Sequence, residues 1–158
     1  MTTVHAHVHH CMTGTTPLRI ADVLFTDDAV EIGEYATVTP MFGIVTGGHR
    51  ERAAEMAARC AEAGPTAVLD AAERHVSIPY AEVETIRLYE GGRFGRPKLA
   101  IDTGEGPPYG YRIHAPVEVA ALRDVLTDLG EEKGFDVELV AGVGFSPRES
   151  LRRFLVDR

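Results

Sequence analysis

Short apolar runs separated by turn residues are the feature that most constrains the fold of this chain. Between residues 75 and 114, apolar side chains alternate with polar ones for a few residues at a time, interrupted at Gly91-Gly92 and from Gly104 to Pro108. Alternation with a period of two is typical of half-buried strands, and tight turns between short strands favour antiparallel pairing. The sequence therefore predicts an antiparallel meander in this segment.

Two more strand-like runs lie between residues 20 and 36, on either side of Thr26-Asp27-Asp28. Asp side chains close local hydrogen bonds to the backbone, so these residues predict a turn and the two runs predict a hairpin. Residues 1 to 17 show neither a helical nor a strand period and are predicted to form a flexible tail. The folded part is then expected to be a single domain over residues 18 to 158.

Three segments have apolar residues at helical spacing. The first is a helical insertion over about 49 to 72, with Thr66 as an N-cap inside it. The second covers about 116 to 130, with Pro116 at its first position. The third, over about 147 to 157, follows a capping-box pattern. With the strands, these helices predict an α+β fold.

Composition excludes several classes of function. The net charge of -8 argues against a nucleic-acid binder, because phosphate neutralisation supplies most of that affinity. The two cysteines lack zinc-ligand spacing and form no disulfide framework, which favours a reducing compartment. Neither a signal peptide nor a long apolar stretch is recognised, so a cytoplasmic protein without an integral membrane segment is expected.

Part of the sequence resembles the bacterial and archaeal PH-like (GRAM-like) modules. Ile78-Pro79-Tyr80 with Val83 resembles the turn that ends one of their strands, Lys98 to Ile101 the strand that follows, and the apolar stripe from Val119 to Leu129 their closing helix. The resemblance implies a bent antiparallel sheet or partly open barrel with a capping helix. Lipid-binding members of the wider family carry a basic first loop, whereas Asp27-Asp28 makes this one acidic, which disfavours phosphoinositides there.

The sequence contains no nucleophile, metalloprotease, Walker A or kinase signature, and no cofactor is expected. The main functional hypothesis is therefore a non-enzymatic binding or scaffolding module for a protein partner or a homodimer. An open sheet edge invites such pairing. The candidate partner-binding residues are those of one apolar loop and of the basic side of the last helix: Met41, Phe42, Ile44, Arg152 and Arg153.

A second hypothesis is a small anionic, phosphate-bearing ligand bound near Gly91-Gly92. Three cations and one aromatic residue in one loop suit an anion, although a solvated hairpin turn explains the same pattern. The candidate residues are Arg93, Phe94, Arg96 and Lys98.

A third hypothesis is a metal protein or small enzyme built on histidines. Imidazole and thiolate bind zinc, nickel and copper, but a flexible tail would not hold them in place. The hypothesis requires the histidines near the N-terminus and Cys11 to converge in space with His75 and His114. Cys60, on the apolar face of the first predicted helix, is interpreted as an inert thiol. The candidate metal ligands are His5, His7, His9, His10 and Cys11.

Overall fold

The computed structural model describes residues 2–14, 17–38, 48–93 and 95–142. Within these ranges the chain forms eight strands, three α-helices and one short 3-10 helix at Tyr80–Glu82. The α+β class expected from the sequence is confirmed. The strands are β1 (Val4–Thr13), β2 (Leu18–Thr26), β3 (Ala29–Val38), β4 (Arg74–Pro79), β5 (Val83–Tyr89), β6 (Lys98–Thr103), β7 (Tyr109–Ile113) and β8 (Asp136–Val140). The helices are α1 (Gly48–Ala63), α2 (Ala67–Ala71) and α3 (Val119–Lys133).

Backbone contacts divide the chain into two compact units, and the single domain expected over residues 18 to 158 stays a prediction. Unit 1 comprises Met1–Tyr80 and Ile113–Pro116, and it contains β1 to β4 with α1 and α2. Unit 2 comprises Ala81–Arg112 and Val117–Arg158, and it contains β5, β6, β8 and α3 with most of β7.

The sheet of unit 1 has the strand order β4-β3-β2-β1, and each neighbouring pair is antiparallel. The hairpin predicted between residues 20 and 36 is present as β2 and β3. At its turn, the Thr26 hydroxyl donates a hydrogen bond to the Ala29 carbonyl at 2.9 Å and accepts one from the Ala29 amide at 3.3 Å. The turn is thus closed by Thr26, whereas the sequence predicted that the Asp side chains would close it.

Strand β1 lies where the sequence predicted a flexible tail, so that prediction is wrong for Val4–Thr13. Val8, Cys11 and Met12 are buried, as expected of a strand against a core. The pairing of β1 with β2 shifts register between Val8 and Cys11, which marks a β-bulge. An extra residue interrupts the period of two, so the alternation by which strands are recognised is hidden in the sequence.

The predicted helical insertion over about 49 to 72 is confirmed as α1 and α2. Helix α1 buries Ala53 and Met56 and ends at Gly64, whose φ of +88° is a left-handed conformation that suits glycine. Thr66 does not act as the predicted N-cap, because its backbone is already helical and its side chain makes no capping hydrogen bond. The buried cluster that these helices share with the sheet consists of Met12, Ile20, Tyr35, Ala36, Met56 and Val68.

Unit 2 has the strand order β7-β6-β5-β8. The predicted meander is present in β5, β6 and β7, which pair antiparallel, but β8 pairs with β5 in parallel. A parallel neighbour requires a crossover connection, and α3 lies in that connection immediately before β8. The fold is therefore mixed rather than wholly antiparallel.

Helix α3 confirms the helix predicted over about 116 to 130, with different ends. It begins at Val119 after the N-cap residue Glu118, so Pro116 is not its first residue. It ends at Gly134, which has a φ of +90° and donates its amide to the Gly130 carbonyl at 2.8 Å. Leu122, Leu126 and Leu129 are buried in unit 2, as the apolar stripe predicts, together with Gly130.

Several predicted features fall outside the residues that the structure describes. These are the apolar loop residues Met41, Phe42 and Ile44, the aromatic Phe94, and the C-terminal helix over about 147 to 157 with Arg152 and Arg153. In the part of the chain that is described, no helix combines the length and the apolar character needed to cross a membrane.

Candidate metal centre

A β-bulge in β1 brings two consecutive histidines to one carboxylate. Val8 pairs with Val23 and Cys11 with Ala21, so His9 and His10 together face the single residue Asp22 of β2. His10 has a φ of +51°, in the left-handed region that residues other than glycine adopt infrequently. A bulge interrupts the ordinary alternation of side chains, so His9 and His10 need not point to opposite faces of the sheet.

A second bulge lies on the other side of Asp22. Ile20 of β2 pairs with Ala36 and the next residue pairs with Glu34, so Tyr35 is the extra residue of β3. Its hydroxyl donates a hydrogen bond to Asp22 Oδ1 at 3.0 Å. The two strands that flank β2 are thus both distorted next to the same aspartate.

Asp22 is the centre of a polar network inside unit 1. In the described part of the chain, its Oδ1 accepts hydrogen bonds from the His10 amide at 2.9 Å and from Tyr35. Its Oδ2 lies 2.7 Å from both His7 Nε2 and His9 Nδ1. The side chain of Asp22 has no solvent exposure. A buried carboxylate is costly unless it is paired, and these four groups supply the pairing.

The network keeps Asp22 ionised. Burial by itself would raise the pKa of Asp22, but the hydrogen bonds from His7 and His9 with the charge of His9 lower it to about 2. The hydrogen bond with Asp22 in turn raises the pKa of His9 above its usual value, against the opposing effect of burial. Because an ionised carboxylate only accepts hydrogen bonds, the ring nitrogens facing Oδ2 carry the protons.

Three imidazoles from separate segments of unit 1 meet beside this network. His10 Nε2 lies 3.3 Å from His49 Nδ1 of helix α1. The His114 ring centroid lies 5.3 Å from that of His10 and 6.1 Å from that of His49. The His114 amide donates to the His10 carbonyl at 2.9 Å, which fixes the chain after β7 to the bulge. We call His10, His49 and His114 the imidazole trio.

A second group joins the aspartate to a thiol. One nitrogen of His7, one oxygen of Asp22 and the sulfur of Cys60 all lie within 4.8 Å of one another. Cys60 lies on α1 and is half-buried, whereas the sequence suggested an inert thiol on the apolar face. Burial, followed by the charge of Asp22, raises the pKa of its thiol. We call His7, Asp22 and Cys60 the Cys60 cluster.

Cys11, a predicted metal ligand, belongs to neither of these two clusters. Its side chain is fully buried and its Sγ donates to the Val8 carbonyl at 3.5 Å. Burial, with a smaller effect of Asp22, raises the pKa of this thiol well above its usual value. Cys11 is therefore a residue of the core.

The remaining histidines lie with other carboxylates. His5 Nε2 is 2.9 Å from Asp27 Oδ1 at the exposed end of the hairpin. His75 Nε2 is 2.6 Å from Glu31 Oε2 on strands β3 and β4. The structure thus brings together His7, His9, His10 and His114 of the predicted set, and it places His5 and His75 elsewhere in unit 1.

The predicted anion-binding loop belongs to unit 2. Arg93 and Arg96 are exposed in the connection between β5 and β6, and Lys98 is half-buried at the start of β6. Gly91 forms an isolated antiparallel bridge with Gly142.

Sequence reasoning missed four residues of this centre: Asp22, Tyr35, His49 and Cys60. Asp22 interrupts the apolar run of β2, and a lone aspartate among apolar strand residues is a signal for a buried polar network. His49 offers no comparable signal, because its position beside His10 depends on how α1 packs on the sheet.

Comparison with known proteins gives the fold and little else. No family model matches the chain, and no curated protein matches it. Among solved structures, it is similar to the hSac2 domain from the human phosphoinositide phosphatase Sac2, with a TM-score of 0.51 and 10% sequence identity. The match covers 89% of this chain and 77% of that domain. At this identity the similarity concerns the fold alone, and the PH-like resemblance stays a prediction.

Proposed function

We propose that unit 1 binds a transition-metal ion through the imidazole trio of His10, His49 and His114. The observation that carries the proposal is the 3.3 Å separation between His10 Nε2 and His49 Nδ1, with the His114 ring packed against both. Imidazole nitrogens are ligands for zinc, copper, nickel and iron, which defines the class of cation.

The separations match what one bound ion requires. Zinc–nitrogen bonds of about 2.0–2.1 Å in a tetrahedral site put two ligand nitrogens about 3.3 Å apart and the ring centroids roughly 5 Å apart. The centroids of the trio are 5.3, 5.5 and 6.1 Å apart. One shared ion would require the His114 ring, and its neighbours where necessary, to rotate until one nitrogen of each ring points at the same position.

The three ligands are held by rigid parts of unit 1. His10 is fixed by the bulge, by its amide bond to Asp22 and by its carbonyl bond to the His114 amide. His49 is the second residue of α1. Ligands held in this way lose little freedom when the ion binds, and three of them leave a fourth position for water or another ligand.

Titration calorimetry with zinc and nickel salts tests the proposal. We expect the unaltered protein to bind, and His49→Ala to weaken binding at the trio roughly 100-fold or more, since losing even an outer contact of a metal ligand costs 10–100-fold. His75→Ala is the matched control, because His75 pairs with Glu31 and lies outside the trio. Failure of the unaltered protein to bind, or equal binding by His49→Ala, would contradict the proposal.

A second candidate is a PH-like, non-enzymatic module that binds a phosphate-bearing ligand near Arg93 and Arg96, or a protein partner. The fold similarity to a domain from a phosphoinositide phosphatase and the exposure of both arginines support it. Thermal unfolding with inositol trisphosphate at constant ionic strength tests the ligand. At 100 times the dissociation constant, a bound ligand adds about 2.7 kcal/mol.

The double variant Arg93→Ala, Arg96→Ala should lose that stabilisation, and Arg50→Ala on the exposed surface of α1 should keep it. No stabilisation of the unaltered protein would reject the anionic ligand. A protein partner or a homodimer, as the sequence first suggested, would then be the remaining role for this module.

A further inference from the structure

We infer that the Cys60 cluster, which consists of His7, Asp22 and Cys60, forms a second metal site that is distinct from the imidazole trio. This site offers nitrogen, oxygen and sulfur ligands, and it suits a thiophilic divalent ion such as zinc, cobalt or cadmium. The inference adds a site to the proposed function and does not require the trio to bind.

The ligands of this site come from three different elements. His7 lies on β1, Asp22 on β2 and Cys60 on α1, and one ligand atom of each lies within 4.8 Å of the others. Zinc bonds of about 2.3 Å to sulfur and about 2.0–2.1 Å to nitrogen and oxygen would put such atoms roughly 3.3–3.6 Å apart. The observed group is close enough for side-chain rotations alone to complete it.

Asp22 is oriented for this role. Its Oδ1 is occupied by the His10 amide and the Tyr35 hydroxyl, at 2.9 and 3.0 Å. Its Oδ2 faces His7 and His9, whose ring protons an incoming cation can replace or displace. Hydrogen bonds that hold the outer oxygen of a ligating carboxylate orient it and tune its basicity.

When the ion binds at this site, it displaces protons from the ligand atoms. The ion takes the place of the proton on His7 Nε2, and that proton moves to Nδ1 of the same ring, so His7 binds as a neutral imidazole and Asp22 as a carboxylate. Cys60 loses its thiol proton to solvent and binds as thiolate. Cys60 and His7 are both half-buried, so water and ions can reach the site.

One ion cannot serve both sites. His49 and Cys60 are three turns apart on α1, which corresponds to roughly 16 Å along the helix axis. The trio lies at the beginning of α1 and the Cys60 cluster lies near its end. Two ions are therefore expected at saturation, one with sulfur coordination and one without it.

Titration with cobalt(II) under reducing, oxygen-free conditions tests the inference, because a thiolate ligand produces a sulfur-to-cobalt charge-transfer absorption. We expect two equivalents of cobalt and this absorption in the unaltered protein. Cys60→Ser, which keeps the size of the side chain, should lose the absorption and one equivalent. His49→Ala should keep the absorption and lose the other equivalent, and His75→Ala should change neither.

The outcomes separate the two proposals. Charge transfer that is absent from the unaltered protein, or that persists in Cys60→Ser, overturns the second site whatever the trio does. Charge transfer that depends on Cys60, with no equivalent lost in His49→Ala, supports the second site and counts against the trio. Far-ultraviolet circular dichroism of each variant confirms that the protein compared is folded.

Discussion

Asp22 in unit 1 and Asp102 in unit 2 are both aspartates on β-strands, but the side chains that pair with them are very different. Asp102 faces one arginine, Arg87, through two nitrogen–oxygen distances of 2.7 Å. Both members of that pair are about one-quarter exposed. Asp22 is fully buried and is stabilised by two imidazoles, a backbone amide and a phenol.

The difference lies in what each partner can give up. An arginine keeps its proton at every accessible pH, and its pKa here is raised further by the hydrogen bond with Asp102. The Arg87–Asp102 pair in unit 2 therefore does not release a proton for which a metal ion could be exchanged. The imidazoles around Asp22 can lose a proton or change tautomer, so a metal ion could take the place of an imidazole proton that faces this carboxylate. The network of unit 1 therefore has the chemistry that the proposed metal binding requires, and the pair of unit 2 does not.

The largest expected effect comes from replacing each aspartate by asparagine. Asp22→Asn puts an amide where two imidazoles donate, at a side chain without solvent exposure, and should cost about 3 kcal/mol of unfolding free energy. Asp102→Asn acts on a partly exposed pair and should cost no more than about 1 kcal/mol. Urea denaturation followed by circular dichroism measures both. Equal losses would mean that the two aspartates are equivalent and would remove the basis of this comparison.

The second-largest expected effect is a loss of unfolding free energy at acid pH that arises from Asp22. The pKa of Asp22 is about 2 in the folded protein and 3.8 in its ordinary state, because hydrogen bonds outweigh the effect of burial. A lowered pKa stabilises the fold above the ordinary value, and this stabilisation is lost as the pH falls from about 4 toward 2. The difference corresponds to roughly 2 kcal/mol.

Urea denaturation at a series of pH values between 5 and 2 checks this expectation. Asp22→Asn should flatten the decline in unfolding free energy relative to the unaltered protein. An unchanged slope in Asp22→Asn would show that the acid sensitivity arises from other carboxylates.

The sequence predicted the elements of the fold better than their connections. The hairpin of β2 and β3, the two main helices and the meander of unit 2 follow from apolar periodicity and turn residues. The parallel pairing of β8 with β5 does not, because periodicity reports that a segment is a strand but not which neighbour it joins. The division into two units likewise depends on contacts between distant segments.

The candidate centre was predicted only in part, for a physical reason. His7, His9 and His10 stood out as metal ligands, but they were assigned to a flexible tail because the bulge between Val8 and Cys11 hides the strand period. Their position is set by Asp22, and bulges on both flanking strands direct the donors toward it. His49 and Cys60 reach the centre through the packing of α1, which no local pattern reveals.

The smallest expected effect tests whether Asp22 carries its charge in the folded protein. Tyr35 donates to Asp22, and burial raises its pKa, so its phenol stays protonated as a donor. Tyr80, also buried in unit 1, donates instead to the neutral carbonyl of Thr26 at 2.7 Å. Hydrogen bonds to a charged acceptor contribute about 1.5–3 kcal/mol and neutral ones about 0.5–1.5 kcal/mol. Tyr35→Phe should therefore cost more unfolding free energy than Tyr80→Phe at neutral pH, by about 1 kcal/mol. The excess should vanish in the Asp22→Asn background, since the acceptor is then neutral. An excess that persists there would assign the effect of Tyr35 to packing at the bulge and not to the charge that makes unit 1 differ from unit 2.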